Sequence, residues 1–341
     1  MNKIKITTPG KLFLAGEYAI TQPGNLAIVA AINLGLTLTI SETHNNVSTM
    51  TSNLIESPLT FNIDHLPNTV ADTKWCYALS AVHIVQDYMY HHQKPLLKEF
   101  NININSDLDH STGKLGLGSS AAVVVAVVEG LDRYFKLHLS RIQLFKLAAL
   151  AHLNVQQSGS LGDIAVGVYH GIIAYSSPDL SKFEQPYTAK IVDSPWSGLH
   201  IEPLTWPMNW QLYLAPTYQA ASTKKALKSV QIPAVFYKQN ITIVDKIIIA
   251  IKSQNYQQLK QYIAYNQALL TEYLPAAYST AKLATVLSYI QQHQLAGKIS
   301  GAGFGDNAYI ITLTQEPLSA TNFDVLPVTI YEDLKIGGNY D

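Results

Sequence analysis

Residues 114–131 read Lys114-Leu-Gly-Leu-Gly-Ser-Ser-Ala-Ala-Val-Val-Val-Ala-Val-Val-Glu-Gly-Leu131, a glycine pair and a serine pair at the mouth of an unbroken apolar run. Whatever fold the chain adopts must bury that run while leaving its polar mouth usable. Gly116 and Gly118 let the backbone turn tightly and approach a ligand with no Cβ in the way. Ser119 and Ser120 fall where the first turn of a helix leaves its N–H groups unpaired. With the positive end of the helix dipole behind them, those donors make a ready phosphate site.

The run from Ala121 to Val128 is far short of the roughly 20 residues a membrane span needs. Met1 to Thr8 has no apolar core of signal-peptide length and reads as a strand. The chain has 341 residues, 48% of them hydrophobic, enough for one large domain or two medium ones. Its formal charge is −1 and it carries no basic tract, which argues against a nucleic-acid partner. The single cysteine, Cys76, excludes an internal disulfide and fits a reducing compartment; a buried, inert thiol is expected. A soluble, cytoplasmic protein acting on small molecules, monomeric or homodimeric, is the expectation.

Along the chain, Lys3 to Thr8 alternates like a strand ended by a turn at Pro9-Gly10, and residues 27–40 predict one or two buried strands. Residues 41–53 read as a surface hairpin and loop. Helical spacing appears over 73–90, 121–135 and 141–155, and a strand over 100–104. A polar loop, 106–113, leads into the glycine-serine segment. Residues 161–175 read as a loop followed by an apolar strand. Prolines and tryptophans between Pro178 and Pro216 suggest an irregular region with short strands, and a soft domain boundary divides 1–190 from 191–341. Helices are predicted over 222–230, 235–253, 256–273 and 276–293, then strands over 308–314 and 328–331, the last able to pack back. The pattern is mixed α and β throughout, with no internal repeat.

Gly116-x-Gly118-x-x-Ala121 superficially matches a dinucleotide fingerprint. That fingerprint requires a strand immediately before it and an acid ending a second strand about 20 residues later. Here a polar loop precedes it, and Asp132 falls within or just after a helix. No G-x4-G-K-[ST] occurs anywhere. In isolation, the segment could equally be a turn that caps a core helix.

Two further segments change that balance. Pro9-Gly-Lys-Leu-Phe-Leu-Ala-Gly-Glu-Tyr18, Gly116-Leu-Gly-Ser-Ser-Ala-Ala122 and Ser300-Gly-Ala-Gly-Phe-Gly-Asp306, in this order, resemble the GHMP kinase superfamily of small-molecule kinases. Within it, several details resemble the phosphomevalonate kinase family: Ala-Gly-Glu17-Tyr18 closing the first motif, Lys114 before the second, the Gly159-Ser160-Leu-Gly-Asp163 segment, and Ala221-Ser-Thr-Lys224. His152 stands eleven residues before Asp163, where mevalonate kinases carry a magnesium-binding glutamate. Imidazole suits an oxygen-seeking ion poorly, so mevalonate kinase is the weaker reading. Phe304 and Asn307 also depart from the superfamily's usual glycine and cysteine.

The resemblance implies an α+β chain of two domains, an N-terminal ribosomal-protein-S5-like domain and a C-terminal ferredoxin-like one. It also implies ATP and Mg2+ as cofactors, with 5-phosphomevalonate as acceptor. ATP phosphates would lie on Lys114, Gly116, Leu117, Gly118, Ser119, Ser120 and Ala121, with Ser120 also a magnesium ligand. Lys11 and Asp163 would be catalytic, paired with each other. The acceptor would be met by Glu17, Tyr18, Ser160, Ser222, Thr223, Gly301, Ala302, Gly303, Gly305 and Asp306. Each has a plainer reading: a lysine after Pro-Gly is usually solvated, an aspartate after glycine is often a turn residue, and Ser222 and Thr223 can simply cap a helix. An inactive ATP-binding sensor is the rival of a different class; it would be favoured by loss of Lys11, the Ser-Ser-Ala segment or Asp163, all of which are present.

Overall fold

The computed structural model describes residues 3–66, 73–110, 113–219, 232–316 and 318–332. The first sheet is organised by two long strands, β1 (Lys3–Ala15) and β2 (Leu26–Glu42), paired antiparallel along most of their lengths. β2 is long enough to hold β5 (Phe100–Ser106) at one end and β8 (Ile172–Ser176) at the other. β3 (Ser48–Ser52) and β4 (Ile55–Phe61) extend the sheet beyond β5, and β9 (His200–Leu204) extends it beyond β8. β6 (Asp109–His110) and β7 (Gly113–Lys114) form a small separate ribbon just before the glycine-serine segment.

Four helices cover this sheet: α1 (Cys76–His91), α2 (Ser119–Phe135), α3 (Arg141–Gln156) and α4 (Gly162–Tyr169). α2 is the predicted apolar helix, and it is buried on nearly every side between β1, β2 and its neighbouring helices. An all-round apolar helix requires that placement. α3 opens on a capping box in which Ser140 Oγ accepts from Gln143 N while Gln143 Oε1 accepts from Ser140 N.

The second sheet runs β11 (Ala296–Ser300), β12 (Asn307–Leu313), β10 (Trp210–Pro216), β13 (Leu326–Val328), all antiparallel. α5 (Ala234–Lys252), α6 (Tyr256–Tyr273) and α7 (Ala281–Gln292) complete this part, with α6 and α7 packed on β11. One apolar cluster is continuous from Leu12 and Val124 to Leu212, Ile247 and Tyr309, so the two sheets share packing. Beyond β13, the chain returns to the first sheet, where Asn33 N donates to Thr329 O and Tyr331 N to Ala31 O. Among the described residues no helix is long and apolar enough to cross a membrane.

Several local expectations change. The strand does not stop at Pro9-Gly10: β1 passes through it with a register shift, because Leu12 and Leu14 beyond it are core residues and Gly35 opposite Pro9 has no side chain to clash. Residues 162–169 form a helix rather than a loop; nearly every residue is buried, which erases the periodicity that would announce it. Residues 41–53 hold no hairpin of their own, since β3 runs parallel to β5 and turns back into β4. The span 276–293 splits into a short 3-10 turn and α7, and β11 went unpredicted. Cys76 is half-buried, with burial raising its thiol pKa. The helix expected at 222–230 lies outside the described residues.

Candidate active site

The site forms where β1, the N-terminus of α2, the N-terminus of α4 and the loop 300–306 converge. Gly118 is the N-cap of α2 and takes left-handed dihedrals, φ 83° and ψ 42°, with no side chain capping the helix. Gly116 has φ 65°. The amides of Ser119, Ser120 and Ala121 thus open a helix of 17 residues without a side-chain acceptor, an arrangement that suits an anion.

Lys11 holds this loop twice. Its backbone N–H donates to Leu117 O at 2.9 Å, and its Nζ donates to Gly116 O at 3.0 Å. The ammonium also lies 5.5 Å from the Phe13 ring centroid. Phe13 in turn meets α4: a Cβ built on Gly162 would sit 3.1 Å from Phe13 Cζ. One aromatic ring therefore supports both the Lys11 side chain and the residue before Asp163. A Cβ built on Gly118 would lie 3.0 Å from Lys11 Cγ and 3.6 Å from Asp163 Cβ, so the two side chains flank that glycine. The expected Lys11–Asp163 ion pair is not among the contacts of the described residues. Lys11 Nζ is on the Gly116 carbonyl, while Asp163 Oδ1 accepts from its own helix at Ile164 N, 3.0 Å away.

Behind Ser120, His152 Nε2 is 3.5 Å from the hydroxyl, and the imidazole stacks on Tyr77 at 5.3 Å. Burial pushes the His152 pKa down, with Asp163 acting in the opposite sense, so the ring is held neutral. Tyr77 OH donates to Gln156 Oε1 at 2.7 Å. A cavity of about 370 Å³ opens beside Ser119 and Ser120, walled by Ile55, Trp75, Tyr77 and Ile104 among others. Trp75 is buried, while Tyr77 is half-buried and faces this cavity, a role its sequence context did not signal.

The loop 300–306 is built with left-handed residues at Gly301, Gly303, Phe304 and Gly305. Phe304 at φ 55° occupies a conformation that favours glycine; its N–H bonds Tyr278 O at 3.0 Å and its ring meets Tyr278 edge-on. The Asp306 carboxyl lies between the two glycine segments. It accepts from Ala302 N at 3.3 Å, and a Cβ on Gly116 would stand 2.5 Å from its Oδ1. Burial raises the Asp306 pKa, partly offset by Lys11. Asn307 Nδ2 reaches back to Leu115 O, giving the departure from the usual cysteine a bridging role.

Other predicted residues have partners within the fold. Glu17 is 4% exposed and its Oε1 is 2.6 Å from Lys298 Nζ, a buried ion pair under the loop. Tyr18 OH donates to Ala302 O, and burial raises its pKa well beyond the usual tyrosine range. Ser160 contributes its carbonyl to Tyr175 OH at 2.7 Å. Lys114 pairs Asp109 through its backbone in the β6–β7 ribbon, and the role expected of its ammonium lies outside the described side chains. Ser222 and Thr223 lie outside the described residues. Lys298 was missed altogether, since a lysine in an apolar strand gives no sequence sign of a partner 281 residues away.

A magnesium ion is compatible with this donor set. Ser120 supplies a hydroxyl oxygen within the first turn of α2, beside the uncapped amides. No cluster of three or more His, Cys, Asp or Glu able to hold a metal occurs among the described residues. A hard ion held mainly by phosphate oxygens and water, with one or two protein oxygens, fits that arrangement.

The family model described as GHMP kinases N terminal domain matches residues 77–171, and GHMP kinases C terminal matches residues 247–320. The chain is 29% identical over 231 residues to a phosphomevalonate kinase of Streptomyces sp. (strain CL190), covering 63% of this chain and 62% of that protein. It is 29% identical over 183 residues to a mevalonate kinase of Methanocaldococcus jannaschii, covering 52% of this chain and 56% of that one. The matches thus span 62% and 56% of these curated relatives' lengths. In three dimensions it resembles Streptococcus pneumoniae phosphomevalonate kinase in complex with phosphomevalonate and AMPPNP, with TM-score 0.82, 24% identity and 92% of each chain covered. It also resembles the Lin0012 protein from Listeria innocua, with TM-score 0.83, 28% identity, and 97% and 100% covered.

Proposed function

The chain belongs to the GHMP kinases, and from that premise we propose that it transfers the γ-phosphoryl group of ATP to 5-phosphomevalonate, giving 5-diphosphomevalonate and ADP. The observation that carries the kinase reading is the placement of the Lys11 and Asp163 side chains together beside Gly118, at the uncapped N-terminus of α2. Phosphoryl transfer is mainly positioning and charge stabilisation, and this is where both would be supplied.

In this reading the amides from Gly116 to Ala121 hold the ATP phosphates, and the cavity beside Tyr77 takes the nucleoside. Ser120 would hold Mg2+, which when bound neutralises phosphate charge during transfer. Lys11 directs its ammonium at the group in transit. Asp163 faces the acceptor across Gly118. A phosphate monoester has a second pKa near 6, so this acceptor is mostly dianionic at neutral pH and Asp163 serves to orient rather than to remove a proton. The acceptor assignment is supported by the Streptomyces relative, by the pneumococcal structural neighbour and by His152 standing where a carboxylate would serve a mevalonate kinase.

Purified protein is assayed for ADP release with Mg2+-ATP and either mevalonate or 5-phosphomevalonate. We expect kcat/KM to favour 5-phosphomevalonate by at least about 10²-fold. A preference for mevalonate would overturn the acceptor, in keeping with the mevalonate kinase relative. No turnover with either would overturn the family-derived reaction.

A further inference from the structure

We infer that Glu17, Tyr18 and Lys298 are positioning residues that clamp the 300–306 loop from beneath. The inference rests on the reading that this loop lines the acceptor side of the site.

An account of the loop's own donors comes first. Gly301 N donates to Glu17 Oε1 at 3.3 Å and Ala302 N to Asp306 Oδ2 at 3.3 Å. Phe304 N donates to Tyr278 O at 3.0 Å and Asp306 N to Gly303 O at 3.2 Å. Among the described residues, Gly303 and Gly305 are the positions between 301 and 306 whose amides have no such partner. The amides of Gly301 and Ala302 are therefore spent on carboxylates, one of which lies just beyond the end of β1.

Glu17 reaches the loop because β1 ends at Ala15 and Gly16 turns sharply. Gly16 has φ 90°, and a Cβ there would meet Ala27 Cα at 2.5 Å, so only glycine permits this close approach to β2. The next two side chains then point at the loop from one side. The Glu17 carboxylate takes Lys298 Nζ and Gly301 N on a single oxygen, while Oε2 has no partner. Lys298 is fully buried, and its ammonium is shared between Glu17 and Ile299 O, each at 2.6 Å. Tyr18 OH meets Ala302 O, and its ring packs edge-on against Tyr278, whose own carbonyl takes Phe304 N. Lys298 is the cation that compensates Glu17. A lone charge at this depth is strongly unfavourable, so the pair has one arrangement, and the loop inherits it.

The test compares full-length wild type with Glu17→Gln, Lys298→Met, the double variant and Tyr18→Phe. Melting temperature, hydrogen exchange of peptides covering 296–310 and 114–124, and steady-state kinetics are measured on each. Each charge-removing single variant should melt lower, and the double should recover most of that loss because no lone charge remains. In the double and in Tyr18→Phe, exchange should quicken across 300–306 and stay unchanged across 116–122. The KM for the acceptor should rise about tenfold, the scale of one hydrogen bond to a charged group, with the KM for ATP unchanged. Unchanged exchange over 300–306 in the double variant, or in Tyr18→Phe should the double fail to fold, overturns the clamp. The exchange readout needs no acceptor, so it stands or falls independently of the reaction assigned above.

Discussion

Replacing Gly118 with alanine probes the site at its narrowest point. Two effects follow from the geometry. The backbone there is left-handed, φ 83° and ψ 42°, which costs an L-residue about 1–2 kcal/mol. For a chain of this size that lowers the melting temperature by roughly 1–3 °C. Folded proteins hold about 5–15 kcal/mol in reserve, so the variant stays folded at assay temperature. The second effect is local. The new methyl would stand 3.0 Å from Lys11 Cγ, tighter than ordinary contact, and 3.6 Å from Asp163 Cβ. Lys11 must therefore give by a fraction of an ångström, and displacement of a positioning group by about 1 Å can cost 10²-fold in rate. We expect kcat to fall roughly 5- to 10-fold, beyond what the stability loss explains. Gly171→Ala is the control: its φ of 61° carries the same strain, with nothing within 4 Å of the added methyl. It should melt lower by a similar amount and keep wild-type turnover. Coupled ADP-release kinetics and a thermal melt on both proteins decide the matter. A folded Gly118→Ala variant turning over within about twofold of wild type would refute the placement of transfer chemistry at this glycine.

Two more predictions concern the carboxyl groups. Asp163→Asn should lower kcat by about 10²-fold with little change in the KM for ATP, because the amides proposed to hold the phosphates are untouched; an unchanged rate removes Asp163 from the mechanism. Asp306 has its pKa raised by burial, so the unfolded chain ionises first as pH climbs above about 4, and folding loses stability from there up through the raised native value. Asp306→Asn escapes that loss, so its melting temperature minus that of wild type should increase with pH above about 4 in a differential scanning series. A difference that stays flat would mean that Asp306 titrates alike in both states.

Legibility in the sequence followed the range of the interaction. α2 was readable end to end, because an apolar run with glycine and serine at its mouth encodes both its burial and its polar opening locally. The three motif segments were readable as resemblances, and the structure brings Lys11, Gly116 to Ala121, Asp163 and Asp306 to one place. α4 was unreadable: GDIAVGVY is buried on all sides, so a helix and a strand give the same pattern. The continuation of β1 through Pro9-Gly10 depended on Gly35 across the sheet, and no local rule carries that. Glu17 and Tyr18 were legible as part of a motif, but their partners Lys298 and Ala302 were not, since those contacts exist only in the fold.

The seam between β1 and the 296–309 region bears on the order in which a nascent chain acquires its parts. Glu17 waits for Lys298, Tyr18 for Ala302, Phe13 for Ser300 and Leu14 for Tyr309, across 281 to 295 residues. At ribosomal speeds that interval is about 15–60 s. The Lys11 contact with the glycine-serine loop waits less, since Lys11 N meets Leu117 O within about the first third of the chain. That contact can therefore exist on a partly made chain while Glu17 is still in water, and the contacts of the 300–306 loop are finished last, when the buried lysine arrives.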